Sequence, residues 1–310
     1  MRPLIPAGTC VASPSVDVVI PVFNGERFLE QAIASVLDQS LVPAKVLVVD
    51  DGSTDSSREI AMRFGNPVSC LAQANQGPSA ARNRGIAAAS SEWVAFLDAD
   101  DYWMPGRLER MLDVVERNPD VDFVYTGLTR IAADGSEEPL RAVSPDRIRE
   151  RLRYDCPIFP STVMARRSLL SSHPWSTEFR SSEDWWLFYR LSRQATFAAI
   201  DEPTVVHRLH DESLTHRDWR SVLDYAQRVA ARIQEDFSGF ERIRLKRKVD
   251  ARLFASAALA ARSESPRTSL RYIARSLLAW PFPGLISSRH KLLLRMLAKS
   301  FGGGASQVRT

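Results

Sequence analysis

Residues 93–103, WVAFLDADDYW, constrain the fold more than any other stretch of this sequence. Five uninterrupted apolar residues are followed directly by a group of aspartates. An unbroken apolar run of this length is typical of a strand that is covered on both faces of an α/β sheet. Carboxylates at the end of such a strand repel one another and are costly to bury unless a cation or hydrogen-bond donors offset their charge. The stretch therefore predicts a central strand that delivers Asp98, Asp100 and Asp101 to a functional edge.

Two interpretations of these aspartates remain open at this point. Only the small Ala99 separates Asp98 from Asp100, so both carboxylates can reach one ligand from a turn. Hard oxygen ligands of this kind suit Mg²⁺ or Mn²⁺, which complete their shells with substrate phosphates and water. The alternative is an acidic N-cap for the helix expected after Pro105, because Asp is common at that position.

The whole-chain composition is that of an ordinary intracellular globular protein. The 310 residues, 45% hydrophobic and 25% charged, allow one large α/β domain with an appended piece. Cys10, Cys70 and Cys156 are odd in number and lack metal-site spacing, which argues for a reducing compartment and against a disulfide scaffold. We find neither a signal peptide nor an apolar run long enough to span a bilayer.

The overall charge of +4 hides an asymmetry along the chain. Residues 1–216 hold 22 Lys and Arg against 30 Asp and Glu, whereas residues 217–310 hold 19 against 7. The second part therefore carries a net charge of +12. A basic tail of this kind suggests an anionic partner such as a lipid surface, and the alternative is a solvated helical face.

The pattern of apolar residues predicts a mixed, mainly parallel sheet flanked by helices. Strands are expected over residues 16–22 and 46–49, joined by an amphipathic helix that begins near Phe28, which is the unit that builds parallel sheets. Gly135 marks an expected hairpin, so the second half of the sheet should be mixed. Further strands are expected over residues 68–71, 123–125 and 158–164, and helices over 55–64, 82–89, 108–115, 185–191 and 291–301.

Polar clusters follow three of the predicted strands. Phe23 and Asn24 follow the first strand, Asp51 and its neighbours follow the second, and the aspartates follow the central strand. In open α/β sheets, ligands bind at the carboxyl ends of strands. The small-residue helix start at 76–83 adds Arg82, which can hold a phosphate. No GxGxxG follows the first strand and no P-loop is present, so a nicotinamide-binding domain is not expected.

Four motifs in order resemble those of the family 2 glycosyltransferases. They read VVIPVFNGERFLEQAIASVLDQS, VLVVDDGSTDSS, NQGPSAARNRGIAAASSEWVAFLDADD and SSEDWWLFYRL, and together they cover roughly residues 16–216. The resemblance implies a glycosyltransferase A-type, Rossmann-like fold, a divalent Mn²⁺ or Mg²⁺ ion, and inverting transfer of a sugar from a nucleotide-sugar. The resemblance covers a predicted catalytic domain (15–216), and the residue patterns outside it predict a flexible lead-in (1–14), a basic helical region (217–301) and a disordered tail (302–310).

On the donor side, the resemblance implies roles for five residues. Pro21 and Phe23 resemble residues of the loop that lies against the nucleotide base, and Asp51 resembles the acid that reads this base. Asp98 resembles the first acid of the family's DxD motif, near the ribose and metal. Asp100 resembles the metal ligand of that motif.

On the diphosphate and acceptor side, the resemblance implies roles for Arg82 and for residues near the end of the domain. Arg82 matches an arginine near the diphosphate, and His210 resembles a histidine near the diphosphate or metal. Asp184 matches the catalytic base, with Glu183 as the second candidate or a supporting neighbour. An ordinary helix cap is the alternative for Asp184. Three tryptophans, Trp175, Trp185 and Trp186, are candidates for stacking on the acceptor, and we expect this role for one of them only, because Trp is more often a packing residue.

The sequence thus predicts a metal-dependent, inverting glycosyltransferase with a cytosolic active site. The family commonly uses UDP-sugars and builds cell-envelope or surface glycans on saccharide or polyprenyl-linked acceptors. The basic carboxyl-terminal helices could contact a membrane peripherally or form a homodimer. There are three rival interpretations: a nucleotidyltransferase, a non-catalytic module that binds a nucleotide-sugar or glycan, and a nucleic-acid-binding protein. The last is disfavoured because the basic residues are not interleaved with stacking aromatics.

Overall fold

The computed structural model describes residues 14–210, 218–262 and 264–282. The strands are β1 (Val16–Val22), β2 (Lys45–Asp50), β3 (Val68–Ala72), β4 (Trp93–Phe96), β5 (Tyr102–Trp103), β6 (Phe123–Ile131), β7 (Glu137–Leu140), β8 (Val163–Arg166) and β9 (Phe197–Arg208). The helices are α1 (Leu29–Leu37), α2 (Ser57–Arg63), α3 (Pro78–Ala88), α4 (Arg107–Arg117), α5 (Pro145–Arg151), α6 (Arg167–Ser172), α7 (Glu183–Ser192), α8 (Trp219–Gln234), α9 (Gly239–Ala260) and α10 (Pro266–Ala279).

In the described part of the chain, the strands form one mixed sheet in the order β3-β2-β1-β4-β8-β6-β9-β5, with β7 paired to β6. Strands β1 to β4 run parallel to one another. Strand β8 is antiparallel to both β4 and β6, whereas β9 returns parallel to β6. The expected sheet, parallel in its first half and mixed in its second, is confirmed. The hairpin at Gly135 is also present, between β6 and β7.

Two apolar cores lie on the two faces of this sheet. Because side chains alternate along a strand, Val18 and Ile20 of β1 face α1, α2 and α4, whereas Val19 faces α3 and the later helices. Helix α8 adds Val229 and Ile233 to the second core. Helix α8 therefore packs on the sheet through a shared core.

Helix α3 approaches the sheet closely at Gly85. A Cβ atom at Gly85 would lie 2.4 Å from Cγ1 of Val19, so only glycine lets the helix pack at this distance. Arg82 lies one turn earlier on the same face of α3. This close packing carries the guanidinium to the carboxyl end of β4.

Several element boundaries differ from those expected. The strand predicted over 158–164 begins only at Val163, because Pro160 lacks an amide hydrogen and opens a short 3₁₀ turn through Thr162. Helix α3 begins at Pro78, four residues earlier than predicted, and β6 extends to Ile131. The expected helix over 291–301, the tail and most of the lead-in lie outside the described residues.

None of the helices in the described ranges combines the length and the apolarity that a bilayer crossing requires.

Candidate active site

The carboxyl ends of β1, β2 and β4 meet at one edge of the sheet. Strand β1 lies between the other two and runs parallel to both, so the residues that follow each strand come together. The pairing of β1 with β2 continues into the following loop, since the amide of Asp51 donates to the carbonyl oxygen of Val22 over 2.8 Å. The structure thus brings together the three polar clusters that the sequence placed at strand ends.

Asp51 organises the loop that leads into α3. Its Oδ1 accepts hydrogen bonds from the Gln76 amide (2.9 Å) and Gln73 Nε2 (2.7 Å), and its Oδ2 accepts one from the Gly77 amide (2.7 Å). The side chain is buried. The base-reading role predicted for Asp51 is not tested by these contacts, but the residue lies at the expected edge.

The loop after β1 is fastened to the loop after β2. Oδ1 of Asn24 accepts a hydrogen bond from the Thr54 amide (2.8 Å), and the Asn24 amide donates to Oγ of Ser53 (3.0 Å). Asn24 adopts a left-handed conformation with φ of 51°, which Asn tolerates better than most residues. This turn leaves the Phe23 ring 51% exposed at the edge, while Pro21 remains within β1. An exposed aromatic ring at this position is available to a planar base.

Arg82 links the aspartate loop to α7. Its Nη2 lies 2.7 Å from Oδ1 of Asp98, and its Nη1 lies 2.8 Å from Oε1 of Glu183. The guanidinium carbon also sits 4.5 Å from the centre of the Trp175 ring. Burial lowers the pKa of Arg82, but the two carboxylates outweigh burial and raise this pKa above its ordinary value. In this structure, Arg82 is therefore a buried cation held between two carboxylates, those of Asp98 and Glu183.

Asp184 lies in the first turn of α7, beside Glu183. The helix begins at Glu183 with Ser182 before it, so Asp184 is not the helix cap that the sequence allowed as an alternative. Burial, followed by the negative charge of Glu183, raises the pKa of Asp184 from 3.8 to about 7. The hydrogen bond from the Trp185 amide to Oδ1 (2.7 Å) opposes this rise. A carboxyl group with a pKa near neutrality suits a general base.

Asp100 and His210 are brought together as predicted. Nε2 of His210 lies 3.1 Å from Oδ2 of Asp100, and Nδ1 of His210 is buried without a partner in the described residues. Burial raises the pKa of Asp100, but the His210 hydrogen bond and the charge of His207 outweigh this and lower it. In the ranges that the structure describes, no cluster of three or more His, Cys, Asp or Glu residues is arranged to hold a metal.

The aspartates do not form the N-cap of the following helix. Strand β5 separates them from α4, whose N-cap is Gly106. Asp98 and Asp100 offer hard carboxylate oxygens from one loop, which is the donor set that Mg²⁺ and Mn²⁺ take together with substrate phosphates. The chemistry of these two side chains therefore fits a divalent ion held together with a diphosphate. In this structure, Arg82 pairs with Oδ1 of Asp98, and Nε2 of His210 faces Oδ2 of Asp100.

The third aspartate has a different function. Asp101 is buried and lies between His207 Nδ1 (2.9 Å) and the Ser161 hydroxyl, which donates to its Oδ2 over 2.6 Å. Ser161 also accepts a hydrogen bond from the Asp98 amide. Burial raises the pKa of Asp101, and the neighbouring carboxylate raises that of His207 against the effect of burial. These hydrogen bonds hold the aspartate loop in place. Asp101 and His207 are 106 residues apart in the sequence, so no local motif predicted their contact.

Arg208 is a further residue of the site that sequence reasoning missed. Its guanidinium donates to the carbonyl oxygen of Asp100 over 2.5 Å and lies over the rings of Phe28 (5.0 Å) and Tyr102 (4.5 Å). The sequence gives no signal for this role beyond the nearness of Arg208 to His210.

Two of the three tryptophans predicted for acceptor stacking are core residues, whereas Trp186 is partly buried. Trp175 packs against Phe96 and Phe188, and Trp185 donates from Nε1 to the carbonyl oxygen of Leu152 over 2.7 Å. Their exposed fractions are 2% and 3%. A sugar cannot stack on a ring without an accessible face, so we do not carry Trp175 and Trp185 into the acceptor site. The aromatic pattern could not distinguish these packing residues from binding residues.

Sequence relatives support the family resemblance. The family profile described as glycosyl transferase family 2 matches residues 17–172. The Escherichia coli protein WfgD, a UDP-Glc:α-D-GlcNAc-diphosphoundecaprenol β-1,3-glucosyltransferase, is 28% identical over 230 residues, which cover 70% of this chain and 89% of that protein. An uncharacterized glycosyltransferase of Rickettsia bellii is 30% identical over 204 residues, which cover 64% of this chain but only 29% of that protein. The alignment covers 34% of the length of a Rickettsia felis relative and 70% of the length of a Rickettsia typhi relative.

Solved structures share the fold. TarS of Staphylococcus aureus, residues 1–349 with UDP, superposes with a TM-score of 0.59 at 18% identity, covering 95% of this chain and 93% of that one. The mannosyltransferase PcManGT of Pyrobaculum calidifontis, with GDP-Man and Mn²⁺, has a TM-score of 0.56 at 20% identity, covering 97% and 84%. The sheet with its flanking helices is thus of the glycosyltransferase A type. The profile match and the relatives show that the chain belongs to glycosyl transferase family 2.

Proposed function

We propose that this protein is an inverting glycosyltransferase that moves a sugar from a nucleotide-diphospho-sugar to an acceptor hydroxyl. The observation that carries the proposal is Asp184, a carboxyl group with its pKa raised to about 7, placed beside the Arg82 bridge to the aspartate loop. Glycosyltransferases need one base, whereas glycosidases need a pair of carboxylates in opposed roles. Glu183 is engaged by Arg82, so Asp184 is the better candidate for that base.

In the proposed reaction, Asp184 accepts the proton of the acceptor hydroxyl as its oxygen attacks the anomeric carbon. The bond between that carbon and the diphosphate oxygen breaks in the same in-line displacement, so the configuration inverts. The proton remains on Asp184 and the electron pair of the broken bond leaves with the nucleoside diphosphate. General-base assistance of this kind is typically worth about 10²–10⁴-fold in rate.

Arg82 sets the relative position of the base and the donor. One side of its guanidinium holds Asp98, at the edge of the sheet where the nucleotide-sugar would bind, and the other side holds Glu183, the neighbour of the proposed base. Because both ion pairs are largely withdrawn from water, they are directional and difficult to rearrange. The geometry therefore couples α7, which carries the base, to the loop that would receive the diphosphate.

A divalent ion is part of the proposal. Asp100 and Asp98 would hold Mn²⁺ or Mg²⁺, with His210 beside them, and the bound ion would neutralise charge on the departing diphosphate. The presence of Mn²⁺ with GDP-Man in PcManGT supports this assignment.

The donor is proposed to be a UDP-sugar and the acceptor a saccharide or a polyprenyl-linked glycan. Pro21, Phe23 and Asp51 would contact the base at the edge described above. WfgD is named as an enzyme that uses UDP-Glc and a GlcNAc-diphosphoundecaprenol, and these substrates support both assignments. Synthesis of a cell-envelope or surface polysaccharide at the cytoplasmic face of a membrane is consistent with such an acceptor. The chain would work there as a monomer or homodimer.

The competing function is a non-catalytic module that binds a nucleotide-sugar or glycan within an assembly complex. Such a module has no use for a carboxyl group with a pKa near neutrality, so the environment of Asp184 favours the enzyme.

A nucleotide-release assay tests the proposal. Purified protein is given UDP-, GDP- and TDP-sugars with Mn²⁺, Mg²⁺ or EDTA, alongside Asp100→Ala, Asp184→Asn and the surface control Asp120→Ala. We expect metal-dependent release that is lost in the first two variants and retained in the control, since Asp120 is exposed and precedes β6 at the opposite edge of the sheet from the site. Stabilisation by a nucleotide without any turnover, with and without saccharide acceptors, would favour the binding module. Failure of every nucleotide to stabilise the protein would refute both functions.

A further inference from the structure

Helices α9 and α10 form an antiparallel hairpin. The Ser276 hydroxyl donates to the carbonyl oxygen of Ala251, and the Ser269 hydroxyl donates to that of Ala258, each over 2.6 Å. As the residue number rises on one helix, it falls on the other. The start of α9 therefore lies beside the end of α10, and Nε of Arg247 donates to the carbonyl oxygen of Ala279 there over 2.9 Å.

One face of the first two turns of α9 is turned to solvent. Phe240, Ile243, Arg244 and Arg247 are spaced i, i+3, i+4 and i+7, so they share one side of the helix. The Phe240 and Ile243 side chains are 79% and 60% exposed, whereas Leu245 on the opposite side is buried. Exposed aromatic and aliphatic residues in contact with basic ones are unusual on a protein surface that stays in water.

The end of α10 continues the same surface. Leu278, 79% exposed, precedes the residue that accepts the Arg247 hydrogen bond. We call Phe240, Ile243, Arg244, Arg247 and Leu278 together the docking face.

Its surroundings are strongly basic. Residues 239–250 contain five Lys and Arg against two acidic residues, and residues 266–282 contain three against none. Arg242 and Arg244 form no ion pair with any residue that the structure describes.

The chemistry of the docking face selects its partner. A second copy of the chain would place basic residues opposite basic residues, which is unfavourable. A single-stranded nucleic acid would require several stacking aromatics interleaved with the basic residues, and Phe240 is the one aromatic among the five residues of the docking face. An anionic bilayer satisfies both features, because apolar side chains enter the boundary of the acyl chains while arginines bind lipid phosphates.

We propose that the docking face binds the surface of a membrane that contains anionic lipids. The binding is peripheral: three apolar side chains insert shallowly, and the flanking arginines and lysines supply attraction to the charged headgroups.

Helix α9 is also tied to the segment that follows α5. Arg252, on the same helix, pairs with Asp155 over 2.7 Å, and Asp155 also pairs with Arg151. Membrane binding would bring the protein to the surface at which a lipid-linked acceptor lies, a consequence that rests on the proposed function.

Flotation of the full chain with vesicles tests the proposal. The vesicles are made of phosphatidylcholine alone or of phosphatidylcholine with phosphatidylglycerol. We expect binding only to the anionic vesicles, with loss at high salt. Arg244→Ser should weaken it about fivefold, the contribution expected of one basic residue near a charged surface. The matched control is Arg271→Ser, which removes the same charge from the far half of the hairpin.

The apolar part of the face has its own matched pair. Phe240→Ser with Ile243→Ser should reduce binding, whereas Leu259→Ser with Leu270→Ser, at the far end of the hairpin, should leave it unchanged. Equal losses in target and control variants would overturn the assignment of this face. Failure to bind anionic vesicles, or a dimer that the Phe240 variant dissociates, would overturn the membrane proposal. Metal-dependent nucleotide release, measured without lipid, reports separately on the proposed function.

Discussion

Replacing Asp184 with asparagine should stabilise the protein and at the same time remove its activity. Because the pKa of Asp184 in the folded chain is raised from 3.8 to about 7, the ionised carboxylate is less favourable in the folded than in the unfolded protein. Its contribution lowers the free energy of unfolding progressively as the pH rises from about 4 to about 7, and the loss is complete above that range. Asparagine keeps the shape of the side chain and cannot ionise.

The magnitude follows from the difference between the two pKa values. At about 1.4 kcal/mol for each pH unit, the full difference corresponds to an upper limit of about 4 kcal/mol. The Asp184 side chain retains some contact with solvent, which screens the charge, so we expect a gain of about 1–3 kcal/mol at pH 8. At pH 4, the stability difference should be small, because Asp184 is protonated in the folded state and only about half ionised in the unfolded state.

Urea denaturation at pH 4 and pH 8 measures the stability difference, and nucleotide release measures turnover. Turnover of Asp184→Asn should fall about 10²–10⁴-fold, while donor affinity is retained. In the parent protein, kcat/KM should fall about tenfold for each pH unit below 7 and level off above it. Equal or lower stability of the variant at pH 8 would refute the argument from burial. Retained turnover would show that Asp184 is not the base.

Three further perturbations test the packing and the donor edge. Arg82→Met should lower the free energy of unfolding by about 3 kcal/mol because it leaves two acids without their cation, whereas the exposed Arg84→Met on the same helix should change it by less than about 0.5 kcal/mol in urea denaturation. Gly85→Ala should cost about 1–3 kcal/mol in the same assay, since the new Cβ would lie 2.4 Å from Val19; an unchanged midpoint would mean that α3 can move away from β1. Phe23→Ala should weaken nucleotide affinity in calorimetry with little effect on the unfolding midpoint, because the ring is exposed; a large loss of stability would place the ring in the fold instead.

Much of the site at the carboxyl ends of β1, β2 and β4 was predictable, because its residues follow these strands directly. The apolar run before Asp98 predicts a buried strand, and the direction of parallel neighbours then places Asp51 and Asp98 at one edge without any further information. The strand–helix–strand pattern around residues 16–50 requires a parallel pairing by the same logic. Local patterns were sufficient where chain direction alone decides which residues meet.

The remaining features depend on contacts between distant parts of the chain. The pairing of Arg82 with Glu183 joins residues 101 positions apart, and Asp101 and His207 are separated by 106. Aromatic patterns around Trp175 and Trp185 could not reveal whether the rings face solvent or the core, since the same residues serve both uses. The 3₁₀ turn at Pro160 was likewise hidden within an apolar run.

By itself, the sequence determined the α/β architecture, the family and the set of acids at the strand ends, because hydrophobic period, turn residues and motif order are local properties. Only the tertiary structure decided which acid is held by Arg82 and which is left with a raised pKa as a candidate base. It also decided that the basic and apolar residues of α9 and α10 lie on one surface. The physical reason is the same in each case: desolvation and charge pairing depend on three-dimensional neighbours, which the linear order of residues does not specify.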